Sequence, residues 1–367
     1  MKIKILQEMK KLAYKSGALL IAALFLVTFT LSAQEVTKDF HKEYKAKQGS
    51  KLELNNKYGD IVVTSSESDQ VVIDVKVTVK YPNQERAEKL LGYITVEFNE
   101  GEDYLSAETI IEDKFNFTGW GNESRRFSID YHVNMPLWMN LTLENKYGNT
   151  DLDDLSGLVD LDIKYGNLSA SKLTRGDEKP MSVVNLAYGK GTIDEAGWLE
   201  ANVRYSGNFT VTKCQALSLD CRYSTMQIGN ISSIAGETRY DKIRIENINN
   251  LVLDEGYSTI NIGTLNNKLS LDAAYGSFNA DRVPAGFESV EIDSRYAGVR
   301  LGIDESASYN LDARLSYGGI KFNEENYQNK KRIIGNTSSE VSGIVGKEES
   351  PKANVKVTAS YASIKLY

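Results

Sequence analysis

Two columns of ionisable residues are the most regular polar feature of the sequence. Acids stand three places before a recurring tyrosine, at Glu144, Asp162, Asp220, Glu237, Asp254, Asp272 and Asp293. Bases stand one place before it, at Lys146, Lys164, Arg204, Arg222, Arg239 and Arg295. Acids beside bases on one outer face could serve a polysaccharide lyase or hydrolase, which needs groups to take up and return a proton. Such work requires a local cluster whose members have divergent pKa values, and these columns are uniform. Like charges stacked one repeat apart repel, and an opposite column alongside relieves them. The pattern therefore favours control of register, at about 0–1 kcal/mol for each exposed pair, with Asp220 and Arg222 the pair to mutate if a catalyst is sought.

Other routes to chemistry are thin. His41 and His132 lie far apart, and neither has a metal-ligand neighbour at the usual spacing. No nucleophile elbow, phosphate loop or dinucleotide fingerprint is present, so no cofactor is expected and catalysis is not. Cys214 and Cys221 are the two cysteines. Seven residues apart on an extended segment they stand too far apart to bridge unless the chain folds back between them, so two buried free thiols are expected and a disulfide is the alternative. One loop, residues 114–122, sets Phe115, Phe117 and Trp120 among glycines and polar residues. It is a candidate contact site, unless the rings fold back over an apolar surface.

The elements that carry these residues follow from a repeat. Tyrosines followed by a small or polar residue occur at Tyr58, Tyr147, Tyr165, Tyr188, Tyr205, Tyr223, Tyr240, Tyr257, Tyr275, Tyr296, Tyr317 and Tyr361. Most spacings between Tyr147 and Tyr275 are 17 or 18 residues. Two, four and six places before a tyrosine the residues are apolar, as with Cys221, Leu219 and Leu217 before Tyr223, which is the period of a half-buried strand. Apolar residues return after the turn, as at Ile243, Ile245 and Ile248. One such unit buries about five side chains worth roughly 1.5–3 kcal/mol each, while ordering its backbone costs about 1–2 kcal/mol per residue. It cannot fold alone and must stack on its neighbours. The fold class expected is all-β, a parallel β-helix-like β-solenoid. Tyr147, Tyr165, Tyr188, Tyr205, Tyr223, Tyr240, Tyr257 and Tyr275 should form a structural ladder, ring on ring, with the parity of the inward residues; an exposed sugar-binding platform is the alternative. Glycines such as Gly59, Gly148, Gly166, Gly189, Gly276 and Gly318 fit a corner of positive φ.

Organisation along the chain departs from the repeat in three places. Residues 1–33 combine Lys2, Lys4, Lys10, Lys11 and Lys15 with an apolar run of about 14 residues, Ala18 to Leu31, and a cleavage site after Ala33, the layout of a signal peptide. That run is shorter than the roughly 20 residues of a membrane span, so no transmembrane anchor is expected after cleavage. Residues 34–140 hold a first rung and an insertion with strands and one helix-like segment, 85–91, read as an N-terminal β-rich or α+β cap. Residues 141–367 form the repeat body, with a polar, lysine-rich hairpin or cap in 323–367. The formal net charge of −7 over 367 residues suits an exported soluble protein and argues against nucleic-acid binding.

The runs Leu52-Glu53-Leu54-Asn55-Asn56-Lys57-Tyr58-Gly59-Asp60-Ile61, Leu143-Glu144-Asn145-Lys146-Tyr147-Gly148-Asn149 and Tyr361-Ala362-Ser363-Ile364-Lys365-Leu366 resemble the adhesin-like β-solenoid family of Gram-negative envelopes classed as domain of unknown function 4097. The resemblance implies export to the periplasm or cell surface and a non-catalytic role, as an adhesin-like or scaffold protein. It offers no active-site residues. Partners expected are an envelope protein or a surface glycan. A polysaccharide-active enzyme is the alternative, and an accessory to envelope-stress signalling the third.

Overall fold

The structure, a computed structural model, describes residues 34–118 and 125–367; the expected leader and Trp120 lie outside the described residues. Among the described residues the chain is all-β apart from one α-helix, Gln84–Leu91, and its strands join in one large mixed sheet. Two compact units are present. The described part of the smaller comprises residues 34–38, 78–93, 112–118 and 125–127, and the larger holds 39–77, 94–111 and 128–367.

In the smaller unit the helix begins where Asn83, in extended conformation, accepts the Arg86 N–H at 2.7 Å, satisfying a donor that the first turn leaves open. Glu85 in the first turn and Lys89 in the last complement the helix dipole. Ala87 and Leu90 are its buried face.

In the larger unit, strands Lys190–Arg204, Asn208–Arg222, Thr225–Arg239, Lys242–Gly256 and Thr259–Ala274 each pair in parallel with the next. Pairing sets like residue on like. Leu199, Leu217, Ile234, Leu251, Leu269 and Val290 form one buried column. Phe209, Met226, Ile243, Ile260, Phe278 and Val299 form a second. Each strand thus hides its apolar face against copies above and below, about 4.8 Å away.

At either end the parallel order gives way to an antiparallel strand. Tyr104–Ile111 pairs in parallel with Lys51–Lys57 on one edge and antiparallel with Ile94–Glu100 on the other. At the opposite end Tyr309–Ser316 takes Ser338–Val345 antiparallel, and that strand takes Tyr327–Ile334 antiparallel in turn. Ala353–Ser360, later in sequence than all of these, lies between Ser289–Arg295 and Tyr309–Ser316 and pairs in parallel with both. The closing repeat in sequence is therefore an interior layer in space.

The turns correct one expectation. Positive φ falls on the tyrosines themselves, from 49° at Tyr205 and Tyr317 to 69° at Tyr58, and on none of the glycines that follow them. What those glycines satisfy is close approach: a Cβ on Gly148 would lie 1.8 Å from the Gly59 carbonyl oxygen, and one on Gly166 1.8 Å from that of Gly148. The left-handed tyrosine also resets the alternation: at Tyr205, Tyr223, Tyr240 and Tyr257 the residue two places before it and the residue just after it are both buried while the ring turns out. Tyrosine parity with the inward residues, expected from counting along a continuous strand, is broken by that kink.

Candidate functional site

The twelve rings stand in one column in the order Tyr58, Tyr147, Tyr165, Tyr188, Tyr205, Tyr223, Tyr240, Tyr257, Tyr275, Tyr296, Tyr361 and Tyr317. Neighbouring centroids are 4.7–5.1 Å apart, and ring planes diverge by no more than 11°. The column is at the surface: the rings from Tyr147 to Tyr361 are about half exposed, 45% at Tyr147 and 58% at Tyr317. Each interior ring has both faces against neighbours, so what it offers solvent is an edge. A ligand that needs an aromatic face finds none along the column between its ends.

Turn hydrogen bonds hold the rings in line. The Tyr205 N–H donates to the Arg222 carbonyl at 3.0 Å, that of Tyr223 to Arg239 at 3.1 Å, and that of Tyr240 to Gly256 at 2.9 Å.

Beside the rings run the charge columns. Asp220, Glu237, Asp254, Asp272 and Asp293 stand directly over one another. Arg222 bridges Glu237 at 2.6 Å and Asp220 at 3.4 Å, Arg239 meets Asp254 at 2.9 Å, and Arg295 meets Asp272 at 2.9 Å. Arg204 pairs with Asp220. Burial pushes the Asp220 carboxyl up, and Arg204 with Arg222 outweighs it and holds the group below the usual range. Where the acid column turns neutral, Asn202 donates to Asn185 at 3.0 Å, and the ladder continues without charge. These acids and bases compensate one another pair by pair along the stack.

A third column was invisible to the acid and base count because it lies under the turns. Ser206, Ser224, Asp241 and Ser258, each just after a tyrosine, are buried. Ser224 N–H donates to Asp241 Oδ1 at 2.6 Å, Thr238 Oγ1 donates to Asp241 Oδ2 at 2.5 Å, and Asp241 N–H donates to Ser258 Oγ at 3.1 Å. Burial still raises the Asp241 pKa. Glu255, wholly buried two places before Tyr257, accepts the Ser258 N–H at 3.2 Å through Oε2, while its Oε1 has no hydrogen-bond partner. Burial pushes Glu255 up to about 7, against the Ser258 N–H and Arg239, which lower it. The signal in the sequence was a carboxylate at a position that elsewhere reads Ile163, Val203 or Ala273.

The other singled-out residues are separate from this surface. Phe115 and Phe117 stack at 5.9 Å, both meet Phe127 edge-on at 4.8 and 5.0 Å, and Phe117 meets Tyr81 edge-on at 6.0 Å. They form a small aromatic cluster within the smaller unit. Cys214 and Cys221 are free and buried in strand Asn208–Arg222, and burial raises the Cys214 thiol to about 12. His41 is bonded to Asp74 at 2.7 Å and lies 3.4 Å from Glu43. Among the described residues no three His, Cys, Asp or Glu side chains are grouped to hold a metal, and no helix is long and apolar enough to cross a membrane.

Comparison with known proteins adds little to this geometry. No family model matches the chain, so its resemblance to domain 4097 stands on the quoted motifs alone. No curated protein matches it either. Among solved structures, a "putative adhesin" from Parabacteroides distasonis is 10% identical with a TM-score of 0.31, covering 90% of this chain and 97% of its own. A "putative adhesin" from Parabacteroides merdae is 9% identical with a TM-score of 0.30, covering 90% and 96%. A "putative cell adhesion protein" from Clostridium sporogenes is 13% identical with a TM-score of 0.20, covering 90% and 99%. The case for function rests on the geometry of the chain itself.

Proposed function

We propose that the chain is an exported, non-catalytic β-solenoid of the bacterial envelope, an adhesin-like or scaffold protein that offers a rigid repeat face to an envelope protein or surface glycan. The observation that carries this reading is the unbroken column of stacked tyrosines, with ion-paired columns beside it. Such regularity fixes the spacing of side chains along a surface, as recognition of an extended partner needs. The one carboxylate unlike the rest, Glu255, is wholly buried and so is not placed to meet a substrate.

The test has two arms. Fractionation of cells making the full chain should find it outside the cytoplasm, and the purified protein should capture an envelope protein or surface glycan without altering it. Turnover of any polysaccharide, abolished by joint substitution Asp220→Asn and Arg222→Gln with folding intact, would replace this reading with an enzymatic one.

A further inference from the structure

The tyrosine column ends at Tyr317, a ring that has a stacking partner on one face alone. Tyr317 follows strand Tyr309–Ser316, which has Ala353–Ser360 on one edge and the antiparallel Ser338–Val345 on the other. On the first side Tyr361 supplies the next ring, 4.7 Å away and parallel within 1°. On the second side the strand runs the opposite way, so no tyrosine arrives in register; what arrives is Thr337, whose carbonyl accepts the Tyr317 N–H at 2.7 Å. Tyr317 is the most exposed of the twelve rings, at 58%.

The space on that side is a cleft of about 410 Å³ lined by Tyr317, by Glu324 and Arg332, by the polar run 336–339, and by Ile334. Arg332 and Glu324 are paired at 2.6 Å, which orients both at the cleft wall. Ile334 is 75% exposed. An aromatic face, an apolar neighbour and several convergent hydrogen-bonding groups make up a ligand site of ordinary size.

We propose that this cleft binds a saccharide, one pyranose ring lying on Tyr317 in the place a thirteenth tyrosine would take. A pyranose has the two surfaces the cleft requires: a flat C–H face for the ring, and equatorial hydroxyls that accept from Arg332 and donate to Glu324 through charge-assisted hydrogen bonds. A nucleotide would also stack, but its phosphates would meet the Glu324 carboxylate at the same wall. A purely apolar ligand would take water from the ion pair and the polar run and give neither a hydrogen bond in return. This inference rests on the reading of the chain as a binding protein and names the ligand class of one of its sites.

The experiment titrates the full chain with disaccharides of glucose, galactose, mannose and N-acetylglucosamine, by calorimetry and saturation-transfer NMR. Tyr317→Phe keeps the ring face and should bind within about threefold of wild type. Tyr317→Asn removes the ring while tolerating the left-handed backbone, and should bind at least about tenfold more weakly. Arg332→Gln, away from the turn, should also weaken binding several-fold. No binding by any disaccharide overturns the proposal, as does equal binding by wild type and Tyr317→Asn; either result leaves capture of a protein partner possible. Cleavage of a disaccharide during titration would instead overturn the non-catalytic reading.

Discussion

A left-handed backbone crowds the Cβ of an L-residue against the next carbonyl, at about 1–2 kcal/mol per residue, and here twelve tyrosines adopt it. Each interior ring recovers that cost through two stacked neighbours, at about 0.5–1.5 kcal/mol per pair. The backbone and ring contributions can be separated. Tyr205→Gly and Tyr205→Ala both remove the ring, but only alanine keeps the steric conflict, so the glycine variant should be the more stable by about 1 kcal/mol in urea unfolding. In a regular strand the order would be the reverse. The buried carboxyl gives a second prediction. Glu255 titrates at about 7 in the fold against 4.5 for the free side chain, so the fold favours its protonated form. Its contribution is fully present below about pH 4.5 and is lost as pH rises through about 7, on the order of 3 kcal/mol in all. Glu255→Gln should therefore unfold at higher urea than wild type at pH 8 and lose most of that advantage at pH 4.5. Alternation places Glu255 at the inward position of Val203 and Ala273, but it misplaces the tyrosine: Tyr205 has the parity of Val203, and only its φ of 49° turns it outward.

Two elements set how closely layers approach. The turn glycines touch the turn of the preceding layer, so Gly148→Ala, with its Cβ 1.8 Å from a carbonyl oxygen, should destabilise by about 3 kcal/mol. Gly207→Ala, with nothing within 4 Å of its Cβ, should stay within about 0.5 kcal/mol of wild type. Melting curves of the two variants distinguish packing from conformational freedom as the reason for glycine. The strand Ala353–Ser360 is the other such element. Deleting residues 353–366 should remove hydrogen-exchange protection from both Ser289–Arg295 and Tyr309–Ser316, its partners on either edge. A stack built in sequence order would lose protection only at its end. The strands themselves were legible, because apolar residues two, four and six places before each tyrosine keep the period of a pleated ribbon. Their spatial order was not, since parallel repeats of similar sequence are interchangeable as neighbours and only three-dimensional closure chooses among them.

Across the larger unit, stability is a sum of layers and the contacts between adjacent layers. Leu219→Ala, in a buried position facing Ala201 on one side and Gly236 on the other, should lower amide protection chiefly in Lys190–Arg204 and Thr225–Arg239. Tyr309–Ser316, several layers away, should keep its protection in the same exchange experiment. The repeat period was the feature of this arrangement that sequence could supply, since a tyrosine recurring mostly every 17 or 18 residues dictates a neighbour for each apolar face. The antiparallel strands at its ends carry no such period, so the sequence marks a β-rich or α+β cap in 34–140 and a hairpin or cap in 323–367 without giving their pairing.

On a ribosome, residues 289–303 and 309–321 are made well before 353–366, yet the layer that joins them belongs to that later stretch. A nascent polypeptide can add layers one at a time up to Ile303 and must then hold a vacancy open. The fold shuts from within, and a product halted short of that stretch is left with an unfilled layer between residues 289–303 and 309–321.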